Sequence, residues 1–178
     1  ASIEHGAARL TDASVSHNGV GRLVLPKETS QTIWKDYIHS SNIHYPVEHV
    51  EEDGLTIWKK KAFMNVLINP ITAIYQVPNG QLVKETMYYE KMHALYEELS
   101  TAFDELKSLV PFQSIVALCQ KTSQNHSSMY QDRQKNRRNE VQTIVTPLVQ
   151  EARHRGASVP LLEKYEQQLH ELNDEVIS

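Results

Sequence analysis

The sequence predicts a mainly α chain, an all-helical body preceded by a few strands and one helix. Three observations predict it. Apolar residues recur at helical spacing from Leu55 onward. Before Gly54 the apolar runs are short or alternating, with Asn18, Gly19 and Gly21 supplying turn chemistry. Pro111 and Pro160 stand where helices would open, and Gly156 where one would stop. A few strands and one helix cannot easily close a domain in about 50 residues. The leading segment therefore reads as the last edge of a larger α/β sheet.

Taken in order, ASVSHNGVG alternates and GRLVLP is a short apolar run ending at a proline. Residues 29–40 read as a short amphipathic helix through Ile33, Trp34, Tyr37 and Ile38, with Thr29 or Ser30 as cap. NIHYPVEHV reads as a strand that Pro46 pushes toward an edge. The first long helix runs from Leu55 to Asn69, where Pro70 disfavours helical dihedrals in the residue before it and starts a new turn. Pro78-Asn79-Gly80 is a turn. A long helix over 84–109 follows, then one from Pro111 through Cys119. SQNHSSM is a polar loop with a helix beginning near Met129. Residues 139–155 form a helix that Pro147 kinks. A last helix runs from Pro160 to about Asn173.

Composition narrows the class. Of 178 residues, 40% are hydrophobic and 22% charged, enough for a core and unlike a disordered chain. The formal net charge of −4 makes no general case for nucleic acid or an anionic membrane as partner. The basic run Arg133 to Arg138 is short, is followed by Glu140, and reads as a solvated face. No apolar run approaches the roughly 20 residues of a membrane span, and ASIEHGAARL has no signal-peptide pattern. Cys119 is the single cysteine, on an apolar helical face, and reads as a buried inert thiol in a reducing cytoplasm. No histidine or carboxylate spacing suits a metal, and GVGRLV feeds a strand, so it fails as a phosphate cradle.

One stretch stands out. In KKKAFMNVLINP, Lys61, Asn65 and Asn69 recur at i, i+4, i+8, a polar stripe on an otherwise apolar helix. Such a stripe is satisfied either by other parts of the protein or by a ligand. Two further clusters go with it. SQNHSSM places Asn125, Ser127 and Ser128 ahead of a helix start, where free N–H groups and hydroxyls suit a carboxylate. Glu140 stands at the head of an otherwise apolar helix, where the helix dipole alone could account for it.

KKKAFMNVLINPITAIYQVPNGQL resembles the K-x-x-x-N-x-x-x-N-P-x-T-A segment of ketopantoate reductases (2-dehydropantoate 2-reductases). NHSSMYQD and the later Glu140 resemble that family's N-x-S-S-M-x-Q-D and its glutamate. HGAAR resembles the turn closing its nucleotide-binding domain, and GASVP its link into the last helix. Val145-Thr146-Pro147 departs from the Asn-Gly often found there.

The resemblance implies a two-domain reductase. Residues 1–52 would be the tail of a Rossmann-like NADPH-binding domain and 53–178 the helical substrate-binding domain. The cofactor would be NADPH, without a metal, and the chain alone, lacking the glycine-rich fingerprint, is expected to be inactive. The reaction implied is reduction of 2-dehydropantoate to pantoate, on the way to pantothenate and coenzyme A. Lys61 would donate the proton, with Asn65 and Asn69 on the substrate's hydroxyl. Asn79, Asn125, Ser127 and Ser128 would also hold substrate, Ser128 at its carboxylate. Glu140 would lie between substrate hydroxyl and nicotinamide, and Ala7 would offer a backbone contact to the cofactor. A homodimer through the helical domain is a further expectation. The rival readings are a non-catalytic helical assembly module, a reductase of another 2-keto acid, and a bundle whose polar residues only bridge helices.

Overall fold

A computed structural model describes residues 2–4, 7–11, 14–17, 22–25, 27 and 47–176. The chain divides into two compact units, Ala1–Lys59 and Lys60–Ser178. The helix expected over 29–40 lies outside the described residues.

In the first unit five strands are described: β1 (Ser2–Glu4), β2 (Ala7–Thr11), β3 (Ser14–His17), β4 (Arg22–Leu25) and β5 (Val47–His49). β2 and β3 pair antiparallel, with a register shift between Arg9 and Thr11. β4 pairs antiparallel with β1 and parallel with β5. The order β1-β4-β5 puts the short apolar run RLVL in the middle and β5 at one end among the described strands. Two further bonds extend the ladder, Val50 N–H to the Leu25 carbonyl and Lys27 N–H to the Glu52 carbonyl.

Nine helices follow among the described residues. They are α1 (Gly54–Tyr75), α2 (Gln81–Lys84), α3 (Thr86–Ala102), α4 (Leu106–Leu109), α5 (Phe112–Lys121), α6 (Ser128–Gln134), α7 (Val141–Ile144), α8 (Thr146–His154) and α9 (Pro160–Glu175). Asp53 caps α1, its carboxylate accepting from Thr56 N–H (2.8 Å) and Thr56 Oγ1 (2.9 Å). The same bonds hold its carboxyl below the ordinary carboxylate value.

Pro70 does not end α1, contrary to the sequence expectation; it lies inside one continuous helix. An internal proline costs about 3 kcal/mol through its missing N–H and its ring. Burial offsets this, because Phe63, Val66, Leu67, Ile68 and Ile71 all reach the core, each contributing about 1.5–3 kcal/mol.

The single helix expected over 84–109 is instead three elements. The break after α3 has a packing cause. Phe103 leaves helical geometry (φ −130°, ψ 93°) and turns its ring into the core, edge-on to Phe63 with centroids 5.4 Å apart. The Arg155 guanidinium lies over the same ring at 4.9 Å while pairing with Glu105 and Glu151. These carboxylates raise its pKa further.

The expected kink near Pro147 is a break at Val145 that separates α7 from α8, with Pro147 in the first turn of α8. Gly156 stops α8 at φ +71°, and Ala157 N–H returns to the Ala152 carbonyl. Pro160 opens α9, whose first-turn N–H groups at Leu161 and Leu162 donate to the Glu98 carboxylate of α3, both at 2.8 Å. Cys119 is fully buried, as expected, and burial pushes its thiol up to about 12.

Phe103→Ala should lower unfolding stability by about 3–5 kcal/mol in urea denaturation, since it empties the space beside Phe63 and removes the ring under Arg155.

Candidate active site

The continuity of α1 keeps Lys61, Asn65 and Asn69 on one face, and Thr72 falls one turn beyond Asn69. Exposure declines along this face. Lys61 is exposed, Asn65 half-buried, Asn69 6% exposed and Thr72 0%. The buried end is satisfied by the protein. The open end is not: the side chains of Lys61 and Asn65 make no hydrogen bond or ion pair among the described residues.

α6 arrives at the buried end with its N-terminus. Ser127 is its N-cap, the side-chain oxygen accepting from Tyr130 N–H at 3.1 Å. Ser127 and Thr72 hydroxyls lie 2.7 Å apart. Thr72 Oγ1 points its proton at the Ile68 and Asn69 carbonyls (both 3.0 Å), so the proton between the two hydroxyls comes from Ser127. Ser128, one residue on and exposed, faces the site. It accepts from Asn69 Nδ2 at 3.4 Å and donates to Glu140 Oε2 at 2.7 Å. Asn69, Ser128 and Glu140 thus form one chain of hydrogen bonds across three segments distant in sequence. Glu140, the N-cap residue of α7, makes no side-chain cap bond; its carboxylate turns to Ser128.

Asn79 and Asn125 also come together, through Asn79 N–H donating to the Asn125 carbonyl at 3.0 Å. Asn79 Nδ2 is committed to Thr122 Oγ1 (3.0 Å), whose own proton goes to the Leu118 carbonyl (2.7 Å), and its buried Oδ1 has no partner in the structure. Gly80 allows this approach. A Cβ there would lie 2.7 Å from Ser123 Cβ and 2.9 Å from the Ser123 carbonyl oxygen. Ala7 opens β2, its Cα opposite His17, in the other unit.

Two residues that sequence reasoning passed over hold this arrangement. Thr72 was visible only as the threonine of the P-x-T-A run. Arg133 belongs to the basic run read as a solvated face; it is half-buried and donates from Nη1 to the Ala73 and Ile74 carbonyls at 2.7 Å each. It thereby satisfies the C-terminal carbonyls of α1 and pins α6 to it. Arg137 and Arg138 are exposed, in keeping with the expectation. Asp132 has its carboxyl raised above the ordinary value, first by burial and then by the charge of Glu140, with Arg137 and Lys135 opposing. Among the described residues no group of three or more His, Cys, Asp or Glu is placed to hold a metal ion. No described helix is long and apolar enough to cross a membrane.

Known proteins resemble this chain in sequence and fold. The model of the family described as Ketopantoate reductase PanE/ApbA C terminal matches residues 55–173. The chain belongs to the ketopantoate reductase family. It is 35% identical over 162 residues to the 2-dehydropantoate 2-reductase of Listeria monocytogenes, an alignment covering 89% of this chain and 51% of that protein. The crystal structure of a probable 2-dehydropantoate 2-reductase from Bacillus subtilis superposes with a TM-score of 0.78 at 26% identity, covering 95% of this chain and 58% of that one. D-mandelate dehydrogenase, in a ternary structure with NADH and anilino(oxo)acetate, shares the fold at TM-score 0.80 and 17% identity, covering 99% and 60%. The chain spans about half the length of the curated relatives it matches. The helical body expected for a ketopantoate reductase C-terminal domain is the one observed.

Two measurements check the site's construction. Gly80→Ala should cost about 1–3 kcal/mol in chemical denaturation, because the Ser123 backbone cannot yield easily. Asp132→Asn should raise the thermal midpoint at neutral pH. A carboxyl whose folded pKa exceeds its unfolded value loses stability as pH rises through that window, so the variant's advantage should vanish once pH falls below the ordinary 3.8.

Proposed function

We propose that this chain is the substrate-holding part of an NADPH-dependent 2-dehydropantoate 2-reductase. The observation that carries the reading is the Asn69–Ser128–Glu140 hydrogen-bond chain at the base of a helix face that opens onto Asn65 and Lys61. A small 2-keto acid needs a cation and a proton donor at its ketone, amides for its hydroxyl and a hydroxyl for its carboxylate. Lys61, Asn65 with Asn69, and Ser128 supply these in order along the face, Ser128 by turning its one proton from Glu140 to the substrate's carboxylate. Asn125 and Ser127 then act by shaping the loop that presents Ser128, and Asn79 by holding Asn125.

The proton chemistry falls to Lys61. Its ammonium polarises the ketone, stabilises the developing alkoxide and delivers the proton from Nζ to that oxygen. NADPH, when bound, supplies the hydride. Glu140 suits a contact to it: the carboxylate is exposed, one oxygen is held by Ser128, and the other makes no hydrogen bond among the described residues. Ala7 would offer a backbone contact from the first unit. On this reading residues 1–52 are the end of a Rossmann-like domain and 53–178 the substrate domain, the enzyme works in the cytoplasm, and the helical domain supports a homodimer.

A second reading is reduction of a different 2-keto acid. The fold likeness to D-mandelate dehydrogenase favours it, since the same scaffold there accompanies a different substrate.

Calorimetric titration of the chain with pantoate tests both. Pantoate should bind, and Lys61→Ala should weaken it about ten-fold or more, or about 1.4 kcal/mol. Binding of D-mandelate in preference to pantoate would select the second reading. Equal pantoate affinity with and without Lys61 would remove Lys61 from its role.

A further inference from the structure

Asn139, directly before Glu140, is bonded on every side. Its backbone N–H donates to Asn173 Oδ1 at 2.7 Å, and its carbonyl accepts from Asn173 Nδ2 at 3.4 Å. Its own side chain is used at both ends. Nδ2 donates to the Leu169 carbonyl at 3.1 Å, and Oδ1 accepts from Val141 N–H at 2.9 Å. One amide side chain thus grips both backbone groups of Asn139 while Asn139's own amide ties α9 to the first turn of α7. Leu169 and Asn173 stand four residues apart on α9 and so share a face. Leu169 is fully buried, which anchors that face in the core.

Glu140 lies between the two fixed points, Asn139 and Val141. Its backbone is outside the helical region (φ −84°, ψ 29°), and its exposed side chain reaches Ser128 Oγ at 2.7 Å. Which hydroxyl a glutamate can reach depends on where its backbone places its Cα and Cβ. We infer that Asn139 and Asn173 are a positioning pair that sets the backbone of Glu140 and thereby aims its carboxylate at Ser128, making the last helix part of the site's construction. Neither asparagine touches the face carrying Lys61 and Asn65 in any described bond; they act through Glu140. The inference rests on the proposed role of Glu140 for its catalytic meaning, but its structural content can be read without ligand.

The test uses Asn173→Ala, Asn173→Asp, Asn139→Ala and the reference variants Ser128→Ala and Glu140→Ala in the whole chain. The first readout is the ¹³C resonance of the Glu140 carboxyl, with Ser128→Ala marking its position when the hydroxyl is gone. Asn173→Ala and Asn139→Ala should move it toward that position while the chain still melts cooperatively. Asn173→Asp keeps the oxygen that accepts from Asn139 N–H but loses the donor to the Asn139 carbonyl, and should return the signal part of the way. The second readout is pantoate affinity, which Asn173→Ala should lower about ten-fold, as far as Glu140→Ala does, with partial recovery in Asn173→Asp. An unmoved Glu140 signal in Asn173→Ala overturns the inference. So does loss of the fold in Asn173→Ala, which would make the pair purely structural. A moved signal in a chain that never binds pantoate supports the pair and overturns the functional reading instead.

Discussion

The seating of α6 on the end of α1 is the constraint on which the site depends. Two buried hydroxyls, Thr72 and Ser127, satisfy one another at 2.7 Å, and Arg133 forks onto the carbonyls of Ala73 and Ile74. Neither contact can slip. A one-residue shift would leave buried hydroxyls without partners and helix-end carbonyls without donors, each worth about 1–3 kcal/mol. With α6 so placed, Ser128 has no choice but to face Asn69. The polar chemistry of the site follows from the way a helix terminus is closed.

The polar stripe of α1 divides into two parts with different duties. Asn69 and Thr72 bridge helices, as the plain structural reading of such residues holds. Asn65 and Lys61, one and two turns nearer the N-terminus than Asn69, have no side-chain partner among the described residues. Burial separates the two duties. In the interior an unmet polar group is costly, so the protein meets it; toward solvent, water can meet it. The bond from Ser128 to Glu140 joins the two regimes, because one hydroxyl serves both the helix bridge and the exposed carboxylate.

Much of this was legible. Boundaries and stops announced themselves locally: Gly54 at the start of α1, Gly156 after α8, Pro160 opening α9. Lys61, Asn65 and Asn69 were readable as a stripe because helical spacing is a property of the chain alone. The misreadings share one cause. Pro70 looks like a terminator until the burial of Val66, Leu67 and Ile71 around it is known. Phe103 looks like another apolar helical position until its ring is seen against Phe63. Arg133 looks like one charge in a solvated run until the carbonyls of α1 appear beside it.

By itself the sequence determined the helical body, its punctuation and the polar stripe of α1, since periodicity, caps and side-chain type are local. Tertiary structure decided which of these residues meet. The Asn69–Ser128 contact spans 59 residues and the Thr72–Ser127 contact 55, and no local pattern encodes such pairings. It also decided where helices break, because the burial of one aromatic ring or a set of aliphatic side chains outweighs the fraction of a kcal/mol by which most residues differ in helix propensity.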